Sequence, residues 1–114
     1  MSELKVTARF KIPGSNVAEF KSLARACMEC VRDKDTGTLQ YDWFFNEDGT
    51  ECMVHETYAS SDAVLEHVGN LGDLFGSLLG ISELALEVFG APTEELAAAT
   101  SSLDVTVYGH FQSM

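Results

Sequence analysis

Two ionisable side chains, Glu56 and His67, flank the stretch Glu56-Thr57-Tyr58-Ala59-Ser60-Ser61-Asp62-Ala63-Val64-Leu65-Glu66-His67. The stretch reads as the end of a strand, a Ser/Asp-rich helix start, and a first helical turn and a half that finishes on the histidine. An imidazole titrates near neutral pH and suits general-base work. A carboxylate close by can orient it or hold a water. Structural readings stand beside both. His67 reads equally as a hydrogen-bonded boundary histidine. Glu56 reads as a carboxylate tying the strand end to the helix N-terminus or to Arg9 across a sheet.

A second set of residues imitates a zinc site: Cys27-Met28-Glu29-Cys30 with Cys52-Met53-Val54-His55. Its spacing argues against metal. Cys27 and Cys30 fall in the middle of a helical pattern, away from any helix N-terminus that would stabilise a thiolate. Cys52 and His55, three apart on a strand, point to opposite faces. The cysteines read as small buried hydrophobes, and no metal is expected. An odd count of three fits a reducing compartment.

The elements that must position Glu56 and His67 follow from periodicity. Leu4, Val6, Ala8, Phe10 and Ile12 alternate with Lys5, Thr7, Arg9 and Lys11, the pattern of a half-buried strand. Pro13-Gly14 ends it. Asn16 with Glu19 reads as a capping box. Val17, Phe20, Leu23, Ala24, Cys27 and Val31 then follow helical spacing to about Arg32, and Asp35-Thr36-Gly37 turns the chain. Residues 38–46 predict a second strand with Leu39, Tyr41, Trp43 and Phe45 on one face. A hairpin turn at Asn46-Glu47-Asp48-Gly49 leads to a third strand over 51–58. That strand has apolar groups on both faces, which predicts cover on both sides.

Ser60 or Ser61 caps a second helix. Val64, Val68, Leu71, Phe75 and Leu78 form its apolar stripe, with His67 at the flank and pointing inward. Gly69, Gly72, Gly76 and Gly80 share another face and predict a break near Gly69-Asn70. Either a backbone packs closely on those glycines or the segment is a loosened lid. A fourth strand spans 82–89, a short helix capped by Thr93 runs to about Thr100, and a fifth strand spans 104–111.

The fold class is therefore α+β: one domain over residues 1–114, a ferredoxin-like βαββαβ unit with an antiparallel sheet, plus an extra C-terminal short helix and strand. Helices cover one sheet face only. A homodimer through the sheet faces covers the other, with the fifth strand extending its own sheet or reaching across. The core of that dimer is the first reading of Trp43, a pocket wall the second.

Charge narrows the partners. The net charge is −11. Residues 1–34 hold all seven bases against four acids, +3, while residues 35–114 hold fourteen acids and no base, −14. This excludes nucleic acid and anionic membrane surfaces as partners. The acidic part reads as a solvated surface, or as lying against the basic helix face. No apolar run approaches the length of a membrane span, and Met1-Ser2-Glu3-Leu4-Lys5 does not open a signal peptide. A cytoplasmic protein is expected.

Gly37-Thr38-Leu39-Gln40-Tyr41, a hairpin, then His55-Glu56-Thr57-Tyr58, Ser60-Ser61-Asp62-Ala63 and His67 together resemble the antibiotic biosynthesis monooxygenase-like (ABM) family of dimeric α/β barrels. The resemblance implies an apolar pocket between the sheet and the second helix in each subunit of a homodimer. His67 and Glu56 match the family's histidine and glutamate and become the candidate catalytic residues. Trp43, Tyr58, Phe75 and Val64 become the candidate substrate pocket. The implied activity is a monooxygenase that needs no cofactor, acting on a small aromatic or quinol-type substrate. The haem-degrading branch fits less well: it carries a tryptophan where this chain has His67, and a strand-one asparagine where it has Thr7 and Arg9. A non-catalytic dimeric module that binds a small apolar ligand, or only assembles, is the competing expectation.

Overall fold

The computed structural model describes residues 3–114; Met1 and Ser2, part of the N-terminal reading above, lie outside it. Strand β1 (Leu4–Lys11) buries Leu4, Val6, Ala8 and Phe10, as the alternation requires. A 3-10 turn over Gly14–Asn16 leads into α1 (Val17–Lys34), which buries Phe20, Ala24, Cys27 and Val31. The capping box does not form. The Asn16 side chain caps nothing in α1; its Nδ2 donates to the Ile81 carbonyl at 3.1 Å, and this contact to a distant segment outcompetes the local one.

Strand β2 (Thr38–Phe45) and β3 (Glu51–Tyr58) form the hairpin. Its turn closes with the Gly49 N–H donating to the Asn46 carbonyl, and Gly49 sits at φ +78°, where glycine carries no steric cost. The register shifts between Thr38 and Gln40, so Leu39 is a bulge residue and is 60% exposed. The expected aromatic face thus begins at Tyr41. Ser60 caps α2 (Ser61–Leu71), its Oγ accepting from the Ala63 N–H at 3.2 Å.

The helix breaks at Gly72, φ +52°, rather than at Gly69-Asn70, and continues as α3 (Asp73–Gly80). A side chain at Gly72 would be strained at that φ, whereas Gly69 stays helical. The close-packing reading of the glycine face fails as well. A Cβ added at Gly69, Gly76 or Gly80 would meet nothing within 4 Å.

Strand β4 (Glu83–Phe89), α4 (Glu94–Ala99, capped by Thr93) and β5 (Asp104–Tyr108) complete the chain. The sheet order is β2-β3-β1-β4-β5. The first four strands are antiparallel neighbours in the ferredoxin-like arrangement, while β5 lies parallel to β4. A parallel neighbour needs a crossover connection, and α4 supplies it. The fifth strand therefore extends its own sheet, and it stops at Tyr108 instead of reaching Phe111.

All helices pack on one sheet face, and the core lies between. The other face is open within the chain: Phe44, Phe89 and Tyr108 are exposed and His55 is solvated, while Thr57, donating to Gln40, is buried on that side of β3. Among the described residues the only ion pair of an arginine or lysine is Arg9–Glu87 at 3.5 Å on this open face. The basic face of α1 does not lie against the acidic segments; Lys21 instead sits over the Phe45 ring, 5.1 Å from its centroid. No described helix is long and apolar enough to cross a membrane.

Candidate functional site

A cavity of about 70 Å³ lies between the sheet and α2–α3. Strand β1 supplies its aliphatic floor through Val6 and Ala8. Tyr41, Trp43, Glu56 and Tyr58 reach it from β2 and β3, and Val64, His67 and Phe75 from α2 and α3. The structure thus brings every candidate residue to one place.

Trp43 is not on the open sheet face. Its side chain points toward the helices, parallel to Phe10 with centroids 6.2 Å apart and beside Phe20 at 6.1 Å. The alternation of β2 after the bulge at Leu39 puts it there. Its reading as the core of a sheet-on-sheet dimer is corrected accordingly. Among the described residues, Trp43 Nε1 is the one enclosed side-chain nitrogen or oxygen with no hydrogen-bond partner. A buried donor without a partner carries a desolvation cost of about 1–3 kcal/mol, which an acceptor atom on a bound molecule would relieve.

His67 sits on the inner face of α2 and is buried. Tyr41 and Tyr58 hold its ring edge-on, with centroids 5.0 and 5.2 Å away. Its Nδ1 lies 2.8 Å from Asp35 Oδ2. Asp35 Oδ2 also accepts from Thr38 Oγ1 at 2.6 Å, and Oδ1 accepts from Asn70 Nδ2 at 2.8 Å. Three donors thus converge on one enclosed carboxylate. Burial alone would raise the Asp35 pKa, but the hydrogen bonds from Asn70, Thr38 and His67 outweigh it and hold the group below its ordinary value. Burial lowers the pKa of His67, with the Asp35 carboxylate opposing.

These directions fix the tautomer. An ionised carboxylate only accepts, so neutral His67 donates through Nδ1–H. Its Nε2 keeps the lone pair, and the residue lines the cavity.

Asp35, Thr38 and Asn70 were not visible as site residues in the sequence, where Asp35 belonged to a turn. One signal was available. Asp35 is the C-cap of α1, and a helix C-terminus disfavours a carboxylate. An acid placed there needs a compensating partner, and two of its three, His67 and Asn70, are 32 and 35 residues away along the chain.

Glu56 takes neither of its two structural readings. Arg9 pairs with Glu87, and the Glu56 carboxyl instead accepts a hydrogen bond from the Tyr58 hydroxyl two residues along the same strand face. Burial pushes its pKa up to about 7, the Tyr58 bond opposing. Burial and the neighbouring Glu56 raise the pKa of Tyr58 and of Tyr41 as well, so both phenols keep their protons at neutral pH. The cavity accordingly presents a lone pair at His67, proton donors at Tyr41 and Trp43, and a carboxyl poised near neutrality, all in apolar walls.

The zinc-like residues do not converge. Cys27 and Cys52 are buried, Cys30 Sγ donates to the Asn70 carbonyl at 3.2 Å, and His55 is on the opposite sheet face beside Phe44. Burial pushes the Cys27 and Cys52 thiols up to about 11 and 12.

Comparison with known proteins adds three solved structures. MupZ from Pseudomonas fluorescens superposes with a TM-score of 0.87 at 20% identity, over 100% of this chain and 94% of that one. Rv0793 from Mycobacterium tuberculosis gives 0.70 at 26% identity, over 82% of this chain and 98% of that one. SnoaB, a cofactor-independent oxygenase from Streptomyces nogalater, gives 0.67 at 18% identity, over 82% and 96%. At these identities MupZ and SnoaB share the fold, and with MupZ the shared fold includes α4 and β5. No curated protein sequence matches the chain. The family model described as antibiotic biosynthesis monooxygenase matches residues 4–71, the segment from β1 to the end of α2 that carries Asp35, Trp43, Glu56, Tyr58 and His67. The chain is a member of the antibiotic biosynthesis monooxygenase family.

Proposed function

We propose that this protein is a cofactor-independent monooxygenase acting on a phenolic or quinol-type ring. The observation that carries the reading is the Asp35–His67 pair at 2.8 Å, which leaves Nε2 as the base in an aromatic-walled apolar cavity. His67 removes the phenolic proton, and the electron-rich anion reacts directly with O₂ at ring carbon. Loss of the ring hydrogen and cleavage of the O–O bond then give a quinone and water. The substrate supplies all the electrons: phenol plus O₂ balances as quinone plus H₂O. Glu56, held near neutrality, delivers a proton to the departing oxygen. Trp43 Nε1 donates to the substrate oxygen, and the low-dielectric walls strengthen both contacts. Tyr58, Phe75 and Val64 enclose the ring.

The cavity of about 70 Å³ is small against ligand pockets of about 300–1,000 Å³. Ring binding therefore requires α3, hinged at Gly72, to move outward. The open sheet face carrying Phe44, Phe89 and Tyr108 packs on a second copy as a homodimer. The whole chain acts as one domain. Its three free thiols suit a cytoplasmic setting.

Oxygen-electrode traces with menadiol test the chemistry. Wild type consumes oxygen, and His67→Ala lowers the rate by about 10²-fold or more, the usual contribution of a general base. Uptake unchanged by that substitution removes His67 from the mechanism. Binding without uptake by wild type assigns the protein to the ligand-binding modules instead. Light scattering at micromolar concentration returns a dimer; a monomer refutes the assembly.

A further inference from the structure

The chain beyond the family-matched segment builds a second cavity. Residues 90–108, with α4 and β5, roof the β4 end of the sheet over a pocket of about 290 Å³, its rim exposed at Ala97, Ser101 and Val107. This chamber shares five lining residues with the His67 cavity: Val6, Val64, Leu86, Thr100 and Leu103. The two spaces therefore adjoin through one apolar partition. The chamber's remaining walls include Val88, Pro92, Leu96 and Val105, and none of its lining residues is charged. Thr100 Oγ1 already donates to the Leu96 carbonyl at 3.0 Å and has no donor to offer. Its polar side chains are the hydroxyls of Thr100 and Ser101 alone, and the other ten lining residues offer apolar area. The smaller cavity holds the titratable groups, and the larger holds none.

From this division of labour we propose that the α4 chamber is a tail-binding subsite. The substrate carries a phenolic head at His67 and Trp43, and an apolar tail that crosses the Val6–Val64–Leu86 partition into the chamber. The head assignment rests on the oxygenase reading above; the tail subsite rests on the cavity. A membrane lipid and a free alkyl-substituted aromatic share this chemistry of polar head and apolar tail. The head cavity has no lysine or arginine among its lining residues to hold a phosphate, which favours the free aromatic over a phospholipid.

Trp43 is the chain's single tryptophan and lines the head cavity, so its fluorescence reports binding there without turnover. The probes are p-cresol, 4-butylphenol and 4-octylphenol, titrated without oxygen. The dissociation constant falls by about fourfold for each added methylene, the apolar transfer value of about 0.8 kcal/mol per CH₂, and levels off when the chamber is full. Ala97→Phe and Val105→Phe fill the chamber from two sides. Each reduces the ratio of cresol to octylphenol dissociation constants by at least tenfold. Because the readout is a ratio within one variant, a general loss of stability does not mimic it, and Ala97, being exposed, tolerates the larger side chain if Val105→Phe misfolds. Affinity independent of tail length, a ratio preserved in both variants, or no saturable change with any phenol overturns the proposal. Tail-dependent binding without menadiol-driven oxygen uptake keeps the subsite and removes the oxygenase reading. Uptake without tail dependence does the reverse. Vesicles of anionic or neutral phospholipid serve as the competing source; displacement of octylphenol by vesicles alone refutes the choice of a free aromatic.

Discussion

Replacing Asp35 by asparagine tests the geometry that the functional reading depends on. The wild-type carboxylate takes three donors: His67 Nδ1, Thr38 Oγ1 and Asn70 Nδ2. Asparagine has one acceptor oxygen. Directed at His67 and Thr38, that oxygen keeps two of the bonds, and an amide flip of Asn70 restores the third. The arrangement survives and the charge is lost. A hydrogen bond to a charged group contributes about 1.5–3 kcal/mol and a neutral one about 1. The imidazolium that forms when His67 accepts a proton thus loses about 1–2 kcal/mol of stabilisation, which is about 5–30-fold in rate. His67 also becomes less basic, so it titrates at lower pH than in wild type and the acid limb of the rate profile moves down. The ring-nitrogen NMR titration of His67 measures this directly. Linkage has a definite sign as well. Asp35 has a depressed folded pKa, so its contribution is present above its ordinary value of 3.8 and is lost as pH falls through the folded value. Asp35→Asn is therefore destabilising at pH 7, by about 1–3 kcal/mol, and the difference closes in acid. A rate within twofold of wild type, or a His67 titration that does not move, refutes the pairing as the origin of the base.

The carboxyl of Glu56 gives the opposite pH dependence. Its folded pKa is raised from 4.5 to about 7, so the fold binds a proton more tightly than the unfolded chain and loses stability as pH rises through that window. Glu56→Gln removes the cost and raises urea-melt stability at pH 8 by about 3 kcal/mol, with no gain at pH 4; equal gains at both pH values would falsify the assignment. Gly37→Ala places a Cβ 2.6 Å from the Ala63 Cβ. It destabilises by about 1–3 kcal/mol through overpacking, and combining it with Ala63→Gly recovers part of that loss in a double-mutant cycle. Additive effects of the two substitutions show that the turn before β2 and the start of α2 do not meet there.

Local rules made the architecture legible. The alternation in Leu4–Ile12, the helical spacing from Val17 to Val31, the hairpin at Asn46–Gly49 and the caps at Ser60 and Thr93 are each decided by residues close in the chain, and each forms. The apparent capping box at Asn16 shows the limit of such rules. Its side chain had a local use, accepting from a helix N–H, and a distant one, donating to the Ile81 carbonyl, and the distant one was invisible without the fold. Leu39 failed for a related reason: a single bulge resets the alternation, and bulges are set by how a strand meets its neighbour.

The site divides along the same line. His67 turns inward because residues 64, 67 and 71 share a helix face, and Glu56 shares a strand face with Tyr58 because they are two apart; both facts are periodicity, and the sequence alone determined them. The partnership of His67 with Asp35, and the support of Asp35 by Thr38 and Asn70, join the end of α1, the start of β2 and the middle of α2. Sheet register and helix packing alone bring those segments within hydrogen-bond distance. The orientation of Trp43 and the chamber under α4 were likewise decided only in three dimensions, because an enclosed space belongs to the surfaces around it and to no stretch of the chain.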